Sequence, residues 1–183
     1  FNYYDYEIDE RLNLALRPRK NSEGMIREYT INPYQMIAAD GRYYLICNHD
    51  KYDTMANYRV DRIKNMKLLE TKRKPLREIK GYERNLDLNK YIDEHIYMFS
   101  GESERVVVRL KKYALNEFIE FFNPEKIIFS NQTEEEVTAR VKVNRTAMRN
   151  WALRYALHAK VISPEDLVED IKSDIEHAWK NYQ

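Results

Sequence analysis

The hydrophobic pattern of the chain changes near residue 75, and this change constrains the fold more than any other feature of the sequence. Before it, short apolar runs are separated by turn residues, which is typical of an all-β unit. After it, runs with strand periodicity alternate with runs in which apolar residues recur every three or four positions, as in amphipathic helices. We therefore expect an α+β protein built from two consecutive units.

The first unit, residues 1–75, is expected to contain a β-hairpin at Asp40-Gly41. Apolar runs at 36–39 and 42–47 flank this dipeptide, and both central positions of a type I′ turn require a positive φ. Residues 57–60 alternate between apolar and polar side chains, which predicts a further strand. Several short strands at close spacing predict a small β-barrel or a strongly bent sheet.

Residues 76–100 are predicted to form a linker with a short helix, and residues 101–183 a second unit. In the second unit, strand and helix patterns follow in the order β-α-β-β-α-β, with one extra helix at the end. That is the element order of a ferredoxin-like sandwich. Asn144 is placed to cap the helix after the third strand. Ser163 is placed to cap the last helix, with Pro164 in its first turn.

Several enzyme classes are excluded by residue types that are scarce. The four glycines lie at least seventeen residues apart, so no glycine-rich phosphate loop or dinucleotide fingerprint can form. None of the four histidines has a histidine partner three or four positions away, so no helical metal pair is present. We expect no catalytic activity, no cofactor and no metal site.

The single cysteine and the first residues of the chain indicate the cellular compartment. Cys47 is the single cysteine and lies in an apolar strand pattern, which predicts a core position and a reducing compartment. No apolar run is long enough to span a membrane, and residues 1–6 have no signal-peptide character. We expect a cytoplasmic protein without membrane association. Because the chain starts without methionine, directly in a strand pattern, we expect it to be part of a longer protein.

The net charge of +1 hides an uneven distribution of bases. Residues 59–84 contain ten bases and four acids, and the tyrosines of the first unit lie among arginines. Tyrosine offers a stacking face and arginine a planar fork for phosphate, so the combination suits nucleotides or single-stranded nucleic acid. The alternatives are that the basic stretch is a solvated face and that about half of these tyrosines fill the core.

Short motifs across nearly the whole chain resemble the WYL domain family and its WCX extension. In the first unit the matching motifs are Asn32-Pro33-Tyr34, Asp40-Gly41-Arg42-Tyr43-Tyr44-Leu45 and Tyr58-Arg59-Val60-Asp61-Arg62-Ile63. The family is named after a Trp-Tyr-Leu triplet, and Tyr43 stands here in place of the tryptophan. In the second unit they are Phe99-Ser100-Gly101-Glu102, Trp151-Ala152-Leu153-Arg154-Tyr155 and Val161-Ile162-Ser163-Pro164-Glu165-Asp166-Leu167.

The resemblance implies a Sm-like (SH3-like) barrel behind the winged helix-turn-helix of a bacterial transcription regulator. In such regulators the WYL domain senses an effector, which tends to be nucleic acid or nucleotide-like, and the proteins are commonly homodimers. By motif, the ligand-binding candidates are Tyr44, Arg59 and Arg62, with Tyr34 as a weaker match, while Arg42 is added from its charge alone. No segment resembles a recognition helix, so we expect this chain not to read promoter DNA itself.

Two other functions remain open from the sequence. The chain could be a structural or dimerisation module without a ligand, in which case Arg59 and Arg62 would point to separate faces rather than converge with Tyr44. A small-molecule enzyme would need a buried carboxylate or histidine beside the tyrosines. The sequence does not identify the effector or the regulated genes.

Overall fold

The structure is a computed structural model that describes residues 1–183. It divides into two compact units, Phe1–Leu86 and Asp87–Gln183. The first is built from β-strands and short 3-10 turns, and the second combines strands with four α-helices. None of these helices is both long and apolar enough to cross a lipid bilayer.

Six strands form two three-stranded antiparallel sheets in the first unit. The strands are β1 (Asn2–Ile8), β2 (Leu14–Pro18), β3 (Asn32–Ala39), β4 (Arg42–Asn48), β5 (Met55–Arg59) and β6 (Ile63–Lys64). One sheet has the order β2-β1-β6 and the other has the order β3-β4-β5. Tyrosines fill much of the space between them, because Tyr3, Tyr29 and Tyr58 pack with Cys47 in one buried cluster.

The predicted hairpin at Asp40-Gly41 is confirmed. Ala39 pairs with Arg42 across the turn. Asp40 and Gly41 have φ values of 49° and 70°, the left-handed conformation that a type I′ turn requires. The turn fixes the register of β3 against β4, and so decides which residues of β4 share a face.

The first unit does not close into a barrel. Strand β5 ends at Arg59, and the chain turns through a 3-10 segment at Val60–Arg62 before it reaches β6. Strand β6 has only two residues, and it pairs with β1 of the other sheet. Because β2 and β3 do not pair with each other, the ring of hydrogen bonds that defines a barrel stays open.

The second unit has a four-stranded antiparallel sheet with the order β10-β7-β9-β8. Its elements are α1 (Leu88–Glu94), β7 (Ser103–Lys111), α2 (Leu115–Ile119), β8 (Ile128–Ser130), β9 (Glu136–Asn144), α3 (Arg145–Arg154), β10 (Ala159–Ser163) and α4 (Glu165–Lys180). From β7 onward they follow the predicted order of strands and helices. Alternate residues of β9 are buried against the helices, as the period-two pattern predicts.

The caps of α3 and α4 differ in how well the sequence predicts them. The Asn144 side chain accepts a hydrogen bond from the backbone N–H of Ala147 at 3.1 Å, so the predicted cap of α3 is confirmed. Ser163 does not cap α4, because it is the last residue of β10 and pairs with Val107. Pro164 takes the cap position instead, without a side-chain hydrogen bond.

Candidate ligand-binding site

Three of the five predicted site residues lie together on strands β4 and β5. Arg42 and Tyr44 are two positions apart on β4, so their side chains emerge from the same face of the sheet. Tyr44 is paired directly with Arg59 on β5. The hairpin register and the pairing of β4 with β5 therefore bring two guanidinium groups beside one half-buried tyrosine ring.

Asp61 is the carboxylate that these two arginines share. Nε and Nη2 of Arg59 donate to its two oxygens at 3.1 and 2.6 Å, and Nη1 of Arg42 lies 4.0 Å from Oδ2. The hydrogen bond from Arg59 lowers the pKa of Asp61, and the same bond raises the pKa of Arg59. A carboxylate held by a fork of two donors is the arrangement that also recognises phosphate.

The backbone of Arg59 is fixed separately from its side chain. Its N–H donates to the hydroxyl of Tyr3 at 3.0 Å. Tyr3 is 5% exposed and belongs to the core cluster. A buried residue of β1 thus fixes the backbone position from which the Arg59 side chain extends toward Asp61.

Arg62 does not join this cluster. Its Nε donates to the backbone carbonyl of Tyr4 at 2.6 Å, and its Nη2 forms an ion pair with Asp5. Its guanidinium carbon lies 4.6 Å from the centre of the Tyr3 ring. Arg59 and Arg62, three residues apart, therefore bind different carboxylates, Asp61 and Asp5.

Tyr34 lies at a third location. Its hydroxyl donates to the backbone carbonyl of Lys74 at 2.7 Å, and Arg73 lies over its ring at 5.3 Å. Burial raises the pKa of Tyr34. These contacts hold the basic stretch against the start of β3, where the amide oxygen of Asn32 also accepts the backbone N–H of Lys74 at 2.8 Å. The contacts of Tyr34 are thus structural ones.

The basic residues next to β3 therefore bind partners within the chain. Arg73 donates to the carbonyl of Pro33 at 2.8 Å, and the Lys74 ammonium lies 3.6 Å from Asp53. Among the interleaved tyrosines, Tyr29 and Tyr58 are buried in the core. The expectation that some of these tyrosines fill the core therefore applies to Tyr29 and Tyr58. The basic stretch is not simply a solvated face, since Arg73 and Lys74 stabilise the first unit.

Sequence reasoning did not single out Asp61 or Tyr3 for the site. Asp61 follows Arg59 by two residues, and the short turn after β5 brings the two side chains together. That spacing was a usable signal. Tyr3 lies fifty-six residues from Arg59 along the chain, so no local pattern could reveal their hydrogen bond.

Two family models match the chain and together cover most of it. The WYL domain matches residues 8–68, and the WCX domain matches residues 102–179. The first interval contains Arg42, Tyr44, Arg59 and Asp61, and the second contains α2, α3 and all of α4 except its last residue.

Similarity to individual proteins is low. Proteasome accessory factor B/C (PafBC) of Arthrobacter aurescens is 12% identical with a TM-score of 0.40, over 100% of this chain and 25% of that one. A structure described as a CRISPR Cas-related protein is 15% identical with a TM-score of 0.47, over 99% of this chain and 47% of that one. A search of curated proteins gave no match. The chain belongs to the WYL-domain family, with a WYL domain followed by a WCX domain.

Proposed function

We propose that this WYL–WCX chain is the effector-sensing region of a bacterial helix-turn-helix transcriptional regulator. The effector is a nucleotide-like molecule or single-stranded nucleic acid, held by Arg42, Tyr44 and Arg59. The proposal rests chiefly on one observation, the two guanidinium groups that share Asp61 beside the Tyr44 ring. In the proposed complex a phosphate takes the place of the Asp61 carboxylate, and a base stacks on Tyr44.

The remaining parts of the proposal concern fold and assembly. The strand order β10-β7-β9-β8 supports a ferredoxin-like sandwich for the second unit, and the two bent sheets of the first support a Sm-like core that is not closed. We expect the chain to act as a homodimer. Promoter DNA would be read by a helix-turn-helix domain outside these residues, and effector binding would shift the arrangement of that domain.

Binding of a short fluorescein-labelled oligo-dT, followed by anisotropy, tests the proposed site. Affinity should fall steeply between about 50 and about 200 mM salt, because each phosphate contact releases counterions. Arg59→Gln and Arg42→Gln should each weaken binding about fivefold or more at the lower salt concentration. Arg105→Gln on β7 is the matched control, because it removes the same charge from an exposed position of the second unit. Equal binding by all four proteins would refute the site.

A contact module without a ligand is the second candidate, and two observations favour it. Arg62 does not converge with Arg59 and Tyr44, as the sequence predicts for such a module, and large apolar side chains are exposed. Ile128 and Phe129 lie on the edge strand β8 and are 59% and 44% exposed, and Trp179 on α4 is 66% exposed. Light scattering after size-exclusion chromatography, with wild type and Phe129→Lys, would test this role. A dimer that dissociates in the variant, together with absent oligo-dT binding, would favour the contact module over the sensor.

A further inference from the structure

A basic cavity in the first unit is lined by residues of β1, of β2 and of the segment that follows β2. It has a volume of about 660 Å³, within the usual range of small-ligand pockets. Four bases and two acids line it: Arg17, Arg19, Lys20, Arg27, Asp5 and Glu7. These side chains give the cavity wall a net positive charge, which favours an anionic occupant.

The backbone brings these bases together from segments that the sequence separates. Arg17 stands opposite Asp5 in the β1–β2 pairing. Beyond β2, the N–H of Arg19 donates to the carbonyl of Tyr3, and the N–H of Arg27 donates to the carbonyl of Arg19, both at 2.8 Å. The chain between them turns back at Asn21, whose side chain accepts the N–H groups of Glu23 and Met25.

Most of the positive charge in this cavity is not neutralised. Asp5 binds Arg19 through two hydrogen bonds of 2.6 and 3.1 Å, and it also pairs with Arg62. No carboxylate lies within 4.0 Å of the charged groups of Arg17, Lys20 or Arg27. Three cations around one cavity suit a ligand with more than one negative charge.

Tyr29 positions one of these cations. Its side chain lines the cavity and is 5% exposed, and the Arg27 guanidinium lies over its ring at 4.7 Å. A cation–π contact of this kind holds the guanidinium without occupying its N–H donors. Arg27 therefore keeps its donors available to an anion.

We propose that this cavity is a second phosphate-binding site, in which Arg17, Lys20 and Arg27 bind the phosphate oxygens. It is separate from the Arg42–Tyr44–Arg59 cluster and would bind an anion whether or not that cluster does. The phosphates belong either to a small polyphosphate-bearing molecule or to the backbone of a bound single strand.

Calorimetry with inorganic pyrophosphate on the whole chain tests the site directly. The wild type should bind pyrophosphate, and the combined variant Arg17→Gln/Arg27→Gln should bind it about tenfold more weakly or worse, as expected for lost charge-assisted hydrogen bonds. Lys20→Gln should also lose affinity, because it removes one of the three cations without a carboxylate partner. The matched control is Arg105→Gln/Arg109→Gln, which removes two arginines from exposed positions of β7 and should leave pyrophosphate binding unchanged. Arg42→Gln/Arg59→Gln measures how much pyrophosphate binds to the other cluster.

The outcomes separate this proposal from the function proposed above. Absent pyrophosphate binding, equal binding by wild type and the Arg17/Arg27 variant, or loss only in the Arg42/Arg59 variant would each overturn it. Oligo-dT binding by the same variants distinguishes the two sources of phosphate. Weaker binding in the Arg17/Arg27 variant identifies a strand backbone, and unchanged binding identifies a small anion. If circular dichroism shows that the double variant is unfolded, Lys20→Gln alone decides the result.

Discussion

Arg59 binds Asp61 two residues further along the chain, with both oxygens of the carboxylate accepting from the guanidinium. Arg42 approaches the same carboxylate from β4. The donors that would recognise a phosphate are therefore already occupied within the chain, and a ligand has to compete with Asp61 for them. The ligand's binding free energy is therefore reduced by the free energy of the ion pairs that Asp61 makes with Arg59 and Arg42.

Asp61→Asn should strengthen binding of oligo-dT about two- to fivefold, because an exposed ion pair contributes up to about 1 kcal/mol. The free energy of unfolding should change by no more than about 1 kcal/mol for the same reason. Anisotropy titration measures the first quantity and urea denaturation the second. Asp53→Asn is the control, since it removes the same charge from the Lys74 pair. Weaker binding by Asp61→Asn would show that Asp61 supports the site rather than competes for it.

Cys47 should react very slowly with thiol reagents in the folded protein. The residue is fully buried, and burial raises its pKa to about 12, so almost no thiolate exists at neutral pH. Mass spectrometry after iodoacetamide treatment should show labelling only when urea unfolds the first unit. Labelling of the native chain as fast as of the unfolded chain would contradict the buried position.

The second unit should lose stability as the pH falls below about 6.5. His95 is 3% exposed, and burial lowers its pKa, so the unfolded chain takes up a proton that the native chain resists. The free energy of unfolding should then decrease with falling pH, by at most about 1.4 kcal/mol per pH unit for this residue. Tryptophan fluorescence reports the transition, because Trp151 is buried in the same unit.

The origin of that pH dependence can be assigned by substitution. His95→Gln should show a smaller difference in unfolding free energy between about pH 7.5 and about pH 5.5 than the wild type does. His177→Gln removes an exposed histidine near the end of α4 and should behave as the wild type. An unchanged pH dependence in His95→Gln would assign the effect to other groups.

Asn144→Ala should destabilise the second unit by about 1 to 3 kcal/mol. The substitution removes the cap of α3, and it also leaves the carbonyls of Ser100 and Glu102 without the Nδ2 donor of the buried Asn144. Urea denaturation followed by tryptophan fluorescence measures the loss. Asn150→Ala, on the exposed side of the same helix, should change stability by much less, and equal losses would contradict the capping role.

The sequence predicts local structure well where one physical rule decides it. Asp40-Gly41 forms its hairpin because few other dipeptides tolerate two positive φ values, and β9 follows its alternation because one face is buried. Ser163 did not follow its local signal, because pairing of β10 with β7 extends through that residue. Strand pairing of this kind depends on distant segments, and single-residue preferences are too weak to oppose it.

The candidate site was predictable only in part, for the same reason. Arg42, Tyr44 and Arg59 share a face through pairings that short-range patterns suggest. Arg62, in contrast, forms an ion pair with Asp5, which lies fifty-seven residues earlier in the chain. The pattern of charges along the sequence does not predict a partner at that distance. Arg17 near the end of β2 and Arg19 just beyond it are two positions apart, and this spacing was a signal for a second basic surface.

Tyr3 lies where the two basic clusters meet, with Arg19 and Arg62 over its ring and the Arg59 amide on its hydroxyl. Its ring contacts Arg19 at the wall of the cavity, and its hydroxyl accepts the amide N–H of Arg59 beside Tyr44. The packing of one buried side chain therefore sets the position of both basic surfaces of the first unit.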